Sequence, residues 1–343
     1  MIPWKWYFNG IMKRDWHSRI IAPIGLLHAS LGILHRNLWL RPTLADRTGL
    51  LPMVVIGGLR TGGSGKTAVT LELVRQLSTA GHRIGILAYW LQKPRKPGER
   101  GIHLLTEDVA EVTSDADWTC CSDEAVLLAR ESGVRVFITR NREHAWDFLS
   151  RSGGLDVLIS DDGLMDPRLQ GAFRMILRRP GETPGVFDLF PAGPYRLTSQ
   201  ILDKVDCIVE GPLSGTQPTA AQPQRFWFRR TLIFPAQFDR STPRWAICGL
   251  GNPQAFHRDL VSAGVQLAGM TCGPDHGLPN LERTRRNAAR AKAEGFVCTA
   301  KDAIKLEGKF PNPGSLAVVD ESIELSPGLI SAVRKHIEIP ASS

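Results

Sequence analysis

Apolar runs and amphipathic stretches alternate along the chain from Met53 onward. The runs are continuous and rich in Val, Ile and Leu, a pattern typical of strands that are buried on both faces. The stretches between them place apolar residues at helical spacing, and several end at Gly. This alternation predicts an α/β fold, a parallel sheet with helices on both faces. Strands are predicted at 53–59, 83–91, 134–140, 155–162, 173–179 and 206–211, and helices at 67–81, 124–133 and 142–154.

A second series of alternating apolar runs and amphipathic stretches follows a segment of different composition. Residues 211–224 are rich in Pro, Gly, Ser, Thr and Gln, which predicts a linker or an exposed loop. Residues 225–234 are predicted to form a strand pair or ribbon. A smaller α/β unit is then predicted, with strands at 245–251, 265–271, 296–299 and 315–320, helices at 253–264 and 281–295, and a turn after Thr299.

The first 45 residues have a different pattern. Tryptophan and tyrosine side chains stand among Lys and Arg in residues 1–19, and residues 20–34 then form an apolar run. The run is shorter than the roughly 20 residues that cross a bilayer, it contains Pro23 and His28, and no small-residue cleavage site follows it. We therefore expect a helix that lies in the lipid headgroup region; a helix packed on the protein's own core is the alternative.

Composition and charge narrow the class of protein. The 343 residues, 43% of them apolar and 22% charged, suit a folded chain of two domains. The net charge of +8 favours an anionic partner, either nucleic acid, a phospholipid surface or a phosphorylated substrate. No arginine-rich tail or aromatic-basic motif accompanies the charge, so nucleic acid is not expected. Six cysteines without CxxC spacing argue against a zinc site or a disulfide framework and fit a reducing compartment.

A glycine-rich stretch joins the first predicted strand to the first predicted helix. Its glycines let backbone N–H groups approach phosphate oxygens, its lysine reaches the outer phosphates, and its last hydroxyl can bind Mg²⁺. Because a strand precedes it and a helix follows it, a chance match is the weaker explanation. It departs from GxxxxGK[ST] in having an arginine at the first glycine position. We predict that the phosphates of a nucleotide bind to Arg60, Thr61, Gly62, Gly63, Ser64, Gly65, Lys66 and Thr67.

Three other places carry polar residues that suit catalysis. Asp161 and Asp162 end a predicted strand, where P-loop enzymes place the carboxylate that holds Mg²⁺, although a turn aspartate has the same pattern. Asp123 and Glu124 open a predicted helix, and their position alone is equally well explained by capping. His276 lies in a Pro-Asp-His-Gly turn, where an isolated histidine is more commonly a surface residue than a base. These residues point to a nucleotide-dependent phosphotransferase.

Taken in order, the motifs resemble one known family. The segments GGSGKT, SDEA, ISDDGL, PAGPYR, CGLGNPQAF, PDHG and TAKDAIKL lie within a stretch from about Ile20 to Leu306 that resembles tetraacyldisaccharide 4'-kinase, the lipid A 4'-kinase of Gram-negative bacteria. CGLGNPQAF and PDHG are not general P-loop features, which makes the resemblance specific. It implies an enzyme on the cytoplasmic face of the inner membrane. With ATP and Mg²⁺, such an enzyme phosphorylates the 4'-hydroxyl of a lipid A disaccharide precursor.

The resemblance also implies a domain plan and residue roles. The predicted divisions are an N-terminal membrane-associated helical segment at 1–45, a P-loop kinase domain at 46–210, a linker and β-ribbon at 211–240, and a smaller C-terminal α/β domain at 241–343. A sugar hydroxyl needs a positioned proton acceptor, and a carboxylate supported by an imidazole can supply one. The implied roles are Asp123 as catalytic base with His276, Thr67, Glu124, Asp161 and Asp162 near the metal, and Arg196 near the substrate.

Several polar positions depart from the family's usual pattern, namely residues 88–93, Met165–Asp166, Leu197 and Ala300. The phosphate and metal residues are kept, so the departures concern the acceptor and the level of activity more than nucleotide binding. Three functions stay open: a lipid A 4'-kinase, a divergent nucleotide-binding homologue at the membrane with weak, altered or no kinase activity, and an unrelated P-loop ATPase with a basic surface for nucleic acid. The chain keeps both the predicted catalytic pair, Asp123 and His276, and the glycine-rich phosphate loop, and this favours the kinase.

Overall fold

The computed structural model describes residues 49–90, 100–190, 192–213, 224–274, 277–310 and 315–338. The elements begin with β1 (Met53–Gly58), α1 (Lys66–Thr79), β2 (Ile84–Tyr89), β3 (Ile102–Leu104), β4 (Val109–Val112), α2 (Asp123–Glu131), β5 (Arg135–Thr139), α3 (Arg142–Ser152), β6 (Val157–Asp161), β7 (Phe173–Arg178) and β8 (Cys207–Glu210). They continue with β9 (Arg225–Ile233), β10 (Arg244–Cys248), α4 (Pro253–Ser262), β11 (Leu267–Cys272), α5 (Leu281–Arg290), β12 (Gly295–Thr299), α6 (Ala300–Leu306), β13 (Leu316–Leu325) and α7 (Pro327–Glu338). The predicted N-terminal helical segment, most of the predicted linker and His276 lie outside the described residues.

The contacts divide the chain into two compact units, each assembled from separated segments. The first unit comprises residues 1–87, 141–229 and 325–343, so far as they are described. Its strands run in the order β9-β8-β7-β1-β6-β2, and each neighbouring pair is parallel. Because the carboxyl ends of parallel strands meet at one edge of a sheet, the residues that follow β1 and β6 come together there.

Burial explains why the centre of this sheet forms where it does. All six residues of β1 are buried. Helix α1 buries one face, with Val69, Leu73 and Leu77 four residues apart, as expected for an amphipathic helix on a sheet. Gly57 packs so closely that an added Cβ would lie 2.3 Å from Leu164 Cβ. The close contact holds β1 against the turn that follows β6.

The second unit comprises residues 88–140 and 230–324, again so far as they are described. It contains a parallel set of strands in the order β11-β10-β12-β13 and an antiparallel set β3-β4-β5. Helix α2 packs against α6. Side-chain oxygens accept backbone N–H bonds at the helix starts, which fixes where each helix begins; these caps are Ser122 for α2, Asn252 for α4, Asn280 for α5 and Thr299 for α6.

The predicted α/β class is confirmed, two local predictions are wrong, and one hairpin was not predicted. The segment after Thr299 is the helix α6 instead of a turn, because the Thr299 hydroxyl accepts the N–H of Asp302 at 3.2 Å. Residues 225–233 form the single strand β9 instead of a strand pair. The β3–β4 hairpin was not predicted, since strands of three and four residues carry too little periodic pattern. Within the described residues, no helix has both the length and the apolar character needed to cross a membrane.

Candidate functional site

The loop after β1 has the backbone that a phosphate cradle requires. Gly63 and Gly65 have φ angles of 65° and 78°, in the left-handed region that glycine adopts without strain. Helix α1 begins directly afterwards at Lys66, so the unpaired N–H groups of its first turn lie at the loop. Gly58 allows the loop to fold back on the strand, since a Cβ there would lie 2.7 Å from Ser64 Oγ. The loop therefore fits the phosphates of a nucleotide.

Asp162, which follows β6, lies among cations. Arg196 Nη1 donates to both carboxylate oxygens of Asp162 at 2.8 Å, and Lys66 Nζ lies 3.8 Å from Oδ1. Burial by itself would raise the pKa of Asp162, but the charges of Lys66, Arg196 and Arg142 outweigh burial and hold that pKa below its usual range. Asp162 is therefore ionised at neutral pH, which is the form that binds Mg²⁺ or its water ligands.

The turn that carries the two aspartates is held from both sides. Arg142 Nη2 donates to the backbone carbonyls of Asp161 at 3.1 Å and Asp162 at 3.3 Å. Asp161 Oδ1 accepts a hydrogen bond from Thr70 Oγ1 of α1 at 3.3 Å. Asp162 itself has a φ of 55°, a left-handed conformation that aspartate tolerates better than most residues. These contacts direct the Asp162 side chain toward Lys66 and leave Asp161 bonded to the helix.

The side chain of Arg60 makes protein contacts in place of the glycine expected at that position. Arg60 Nη1 donates to Glu182 Oε1 at 2.7 Å and to the Tyr195 hydroxyl at 3.1 Å. The Tyr195 hydroxyl in turn donates to Glu182 Oε1 at 3.1 Å. The Arg60 and Glu182 side chains are about nine-tenths buried, at 9% and 10% exposure. Arg60 was predicted to bind the nucleotide, and this geometry shows it tying the loop to a distant segment.

Tyr195 belongs to the segment PAGPYR, whose described residues 192–196 lie beside the loop. Thr61 N donates to Pro194 O at 3.0 Å, and Arg196 N donates to Leu59 O at 2.8 Å. Arg196 also returns to the loop with its side chain, donating through Nε to the carbonyl of Arg60 at 3.0 Å. The backbone of PAGPYR thereby sets the position from which Arg196 reaches Asp162.

A second charged cluster lies in the second unit, around Asp123. Lys305 Nζ is fully buried and lies 3.3 Å from Asp123 Oδ2 and 2.9 Å from Asp302 Oδ1. Lys301 Nζ lies 3.9 Å from Asp123 Oδ2 and bonds Glu124 Oε1 at 2.8 Å. Asp123 is 1% exposed, at the start of α2. Two lysines of α6 therefore neutralise the acids at the start of α2. Lys305 pairs with Asp123 in the buried interior, and Lys301 pairs with Glu124 nearer the surface.

Comparison with known proteins places these residues in a family. The family described as Tetraacyldisaccharide-1-P 4'-kinase matches residues 17–338. The tetraacyldisaccharide 4'-kinase of Azoarcus sp. (strain BH72) is 32% identical over 308 residues, which cover 84% of this chain and 85% of that protein. The chain belongs to the tetraacyldisaccharide 4'-kinase family. The corresponding kinase of Aeromonas hydrophila is 29% identical over 309 residues, covering 86% of this chain and 87% of the relative.

A solved structure shares the fold of this kinase family member. The structure of LpxK from Aquifex aeolicus in complex with ATP superposes with a TM-score of 0.64 at 20% identity, and covers 93% of this chain and 99% of its own. The family predicted from the motifs is thus confirmed, and so is the P-loop type of fold. The roles predicted for individual residues stay predictions. The proposed partnership of Asp123 with His276 falls partly outside the described residues.

Several residues of this kinase were not singled out from the sequence. Glu182 and Tyr195 lie more than a hundred residues from Arg60, so no local pattern connects them to the loop. Lys301 and Lys305 stand four apart in TAKDAIKL, which is typical of a solvated helix face. The burial of Lys305 depends on the packing of α6, and no pattern in its immediate sequence distinguishes it from an exposed lysine.

Proposed function

We propose that the chain is an ATP-dependent kinase that phosphorylates the 4'-hydroxyl of a lipid A disaccharide precursor. Its family membership makes it a phosphotransferase with an alcohol group as acceptor. The observation that carries the proposal is the meeting of the glycine loop, Lys66 and Asp162 where β1 and β6 end. Such an arrangement suits the β- and γ-phosphates of a nucleotide. The Aquifex relative was solved with ATP, which supports ATP as the donor.

The described residues supply groups for the nucleotide and its metal ion. Lys66 and the first N–H groups of α1 bind phosphate oxygens, and the Thr67 hydroxyl and Asp162, with Asp161 beside them, would hold Mg²⁺. When bound with the nucleotide, Mg²⁺ would neutralise part of the negative charge of the phosphates. Lys66 and Arg196 are both paired with Asp162, so a metal role for Asp162 requires its carboxylate to exchange at least one of these partners.

Asp123 is our candidate for the proton acceptor of the sugar hydroxyl. A carboxylate oxygen can accept the proton of a hydroxyl, and the Asp123 carboxylate lies 3.3 Å from Lys305 Nζ and 3.9 Å from Lys301 Nζ. We propose His276 as its partner, on the basis of the family resemblance alone. Glu124, proposed to act near the metal, has its carboxylate bonded to Lys301, so that role requires the carboxylate to exchange this partner.

The chemistry of the proposed acceptor supports a location at a membrane. A disaccharide with four acyl chains is an amphiphile that resides in a lipid layer. We propose that residues 1–45 bind the cytoplasmic face of the inner membrane, because aromatic and basic residues flank their apolar run. Arg196 is proposed to contact the acceptor. No nucleic acid is expected as a partner.

Transfer of label from ATP to lipid tests the proposal. The full chain is incubated in detergent micelles with tetraacyldisaccharide 1-phosphate, Mg²⁺ and γ-labelled ATP, and labelled lipid is separated by chromatography. Lys66→Ala should lower the rate by about 10² or more, because a charge-assisted contact to the transferring phosphate is lost. Lys335→Ala, an exposed lysine of α7, is the matched control and should leave the rate unchanged. Equal rates for wild type and Lys66→Ala would refute the assignment of the loop.

A further inference from the structure

A turn in the first unit presents large apolar side chains to solvent. In residues 186–190, which we name the apolar tip, Phe187 is 66% exposed, Val186 47% and Phe190 38%. Exposed apolar side chains that stand singly are common, but a group of three within five residues marks a contact surface. The tip immediately precedes PAGPYR, the segment that carries Arg196.

The tip is a tightly bonded turn. Asp188 N donates to Gly185 O at 3.1 Å, and Gly185 N donates to Asp188 Oδ2 at 2.8 Å, so the carboxylate is engaged inside the turn. Gly193 N donates to Leu189 O at 2.9 Å, and Tyr195 N donates to Asp188 O at 3.2 Å. Leu189 is buried beneath the turn. The fold is thus held by Leu189 and the backbone, and it does not depend on Val186 or Phe187.

We propose that the apolar tip inserts into the lipid layer that carries the acceptor and so brings the layer to the segment that bears Arg196. The inference rests on the proposed function, because an acceptor with four acyl chains is presented at a lipid surface. The tip contains one charged side chain, the half-buried Asp188, whose Oδ2 accepts the N–H of Gly185. The aromatic and aliphatic side chains around it suit the boundary between headgroups and acyl chains. Tyr195 and Arg196 follow within six residues of Phe190, so Arg196, which is proposed to contact the acceptor, and the exposed apolar side chains belong to one stretch of sequence.

Vesicle binding by a tip variant is the first arm of the test. Full-length Val186→Ser/Phe187→Ser is compared with wild type for co-flotation with vesicles of phosphatidylethanolamine and phosphatidylglycerol. Loss of one inserted phenylalanine and one valine should weaken partition by about tenfold or more. Leu104→Ser/Val261→Ser removes apolar side chains of 47% and 52% exposure from the second unit and is the matched control, expected to bind as wild type does. Phe187→Ser alone, at the most exposed position, is the second variant if the double variant unfolds.

Kinetics with the acceptor in mixed micelles is the second arm. The tip variant should raise the KM for the lipid acceptor while leaving kcat and the KM for ATP unchanged, since neither residue lies in the phosphate loop. Partition and acceptor KM equal to those of the control variant would overturn the inference. A change in the oligomeric mass of vesicle-free protein would also overturn it, because the tip would then bind a second copy. Absence of transfer by the wild type itself would refute the proposed function instead, while the vesicle arm would still report on the tip.

Discussion

Replacement of Lys305 by methionine is the sharpest test of how the second unit holds Asp123. The lysine is fully buried, and its ammonium lies 3.3 Å from Asp123 and 2.9 Å from Asp302. Methionine has a similar length and no charge, so Lys305→Met leaves two buried carboxylates without their shared cation. Removing one partner of a buried ion pair costs about 3–5 kcal/mol.

The contacts of each carboxylate refine that magnitude. Asp302 keeps the N–H of Gly249 at 2.9 Å and the hydroxyl of Thr299 at 2.9 Å, so it retains much of its stabilisation. Asp123 keeps Lys301 as a nearby cation, but at 3.9 Å. We therefore expect the free energy of unfolding to fall by about 3 kcal/mol, near the lower end of the range, mainly because Asp123 loses its closest cation.

Urea unfolding followed by circular dichroism measures this loss. Lys309→Met, an exposed lysine next to the end of α6, is the control and should change stability by less than about 0.5 kcal/mol. Lys305→Met/Asp123→Asn should recover part of the loss, because it removes a buried negative charge that has lost its nearest cation. A single variant within about 1 kcal/mol of wild type, or a double variant no more stable than the single, would refute the reasoning.

Three more predictions concern the remaining charged groups. Asp162→Asn should lower the stability of the folded protein at neutral pH. Because the pKa of Asp162 is lowered in the folded state, the loss of stability relative to wild type is full above about pH 4 and disappears as the pH falls through the folded pKa. Thermal melting at a series of pH values measures this loss. Arg60→Met should lower the free energy of unfolding by about 2–4 kcal/mol, because the buried Glu182 loses its cation. Arg60→Lys should restore only part of this loss in the same unfolding assay, because lysine lacks the forked guanidinium group. Asp123→Asn should lower kcat by about 10² to 10⁴ with unchanged ATP affinity by calorimetry. A deficit at Asp162 that persists at acid pH, a full rescue by Arg60→Lys, or an undiminished kcat would each contradict its prediction.

Local pattern predicted much of the fold and of the phosphate loop. The continuous apolar run at β1, the helical spacing of α1 and the glycines between them are all read within 30 residues, and the structure forms them within one or two residues of the predicted bounds. The charges of Asp162 and Lys66 meet because both follow strands of one parallel sheet, which the alternation of elements already implied.

Contacts between distant segments could not be predicted in the same way. The pairing of Arg60 with Glu182 joins residues 122 apart, and that of Lys305 with Asp123 joins α6 to α2 across most of the second unit's sequence. Such pairs depend on which helices and loops pack together, and side-chain type alone does not reveal that. The helix α6 was missed for a related reason, since seven residues are too few for a helical period to stand out from a turn.

The most direct test of the kinase assignment is to identify the position of the new phosphate. Purified full-length protein is incubated with Mg²⁺, ATP and tetraacyldisaccharide 1-phosphate in detergent, and the extracted lipid is examined by phosphorus NMR. We predict a new phosphomonoester at the 4' position, formed in equal amount to ADP and absent with Lys66→Ala. ADP formed without a phosphorylated lipid, or a phosphate at another position, would contradict the assignment.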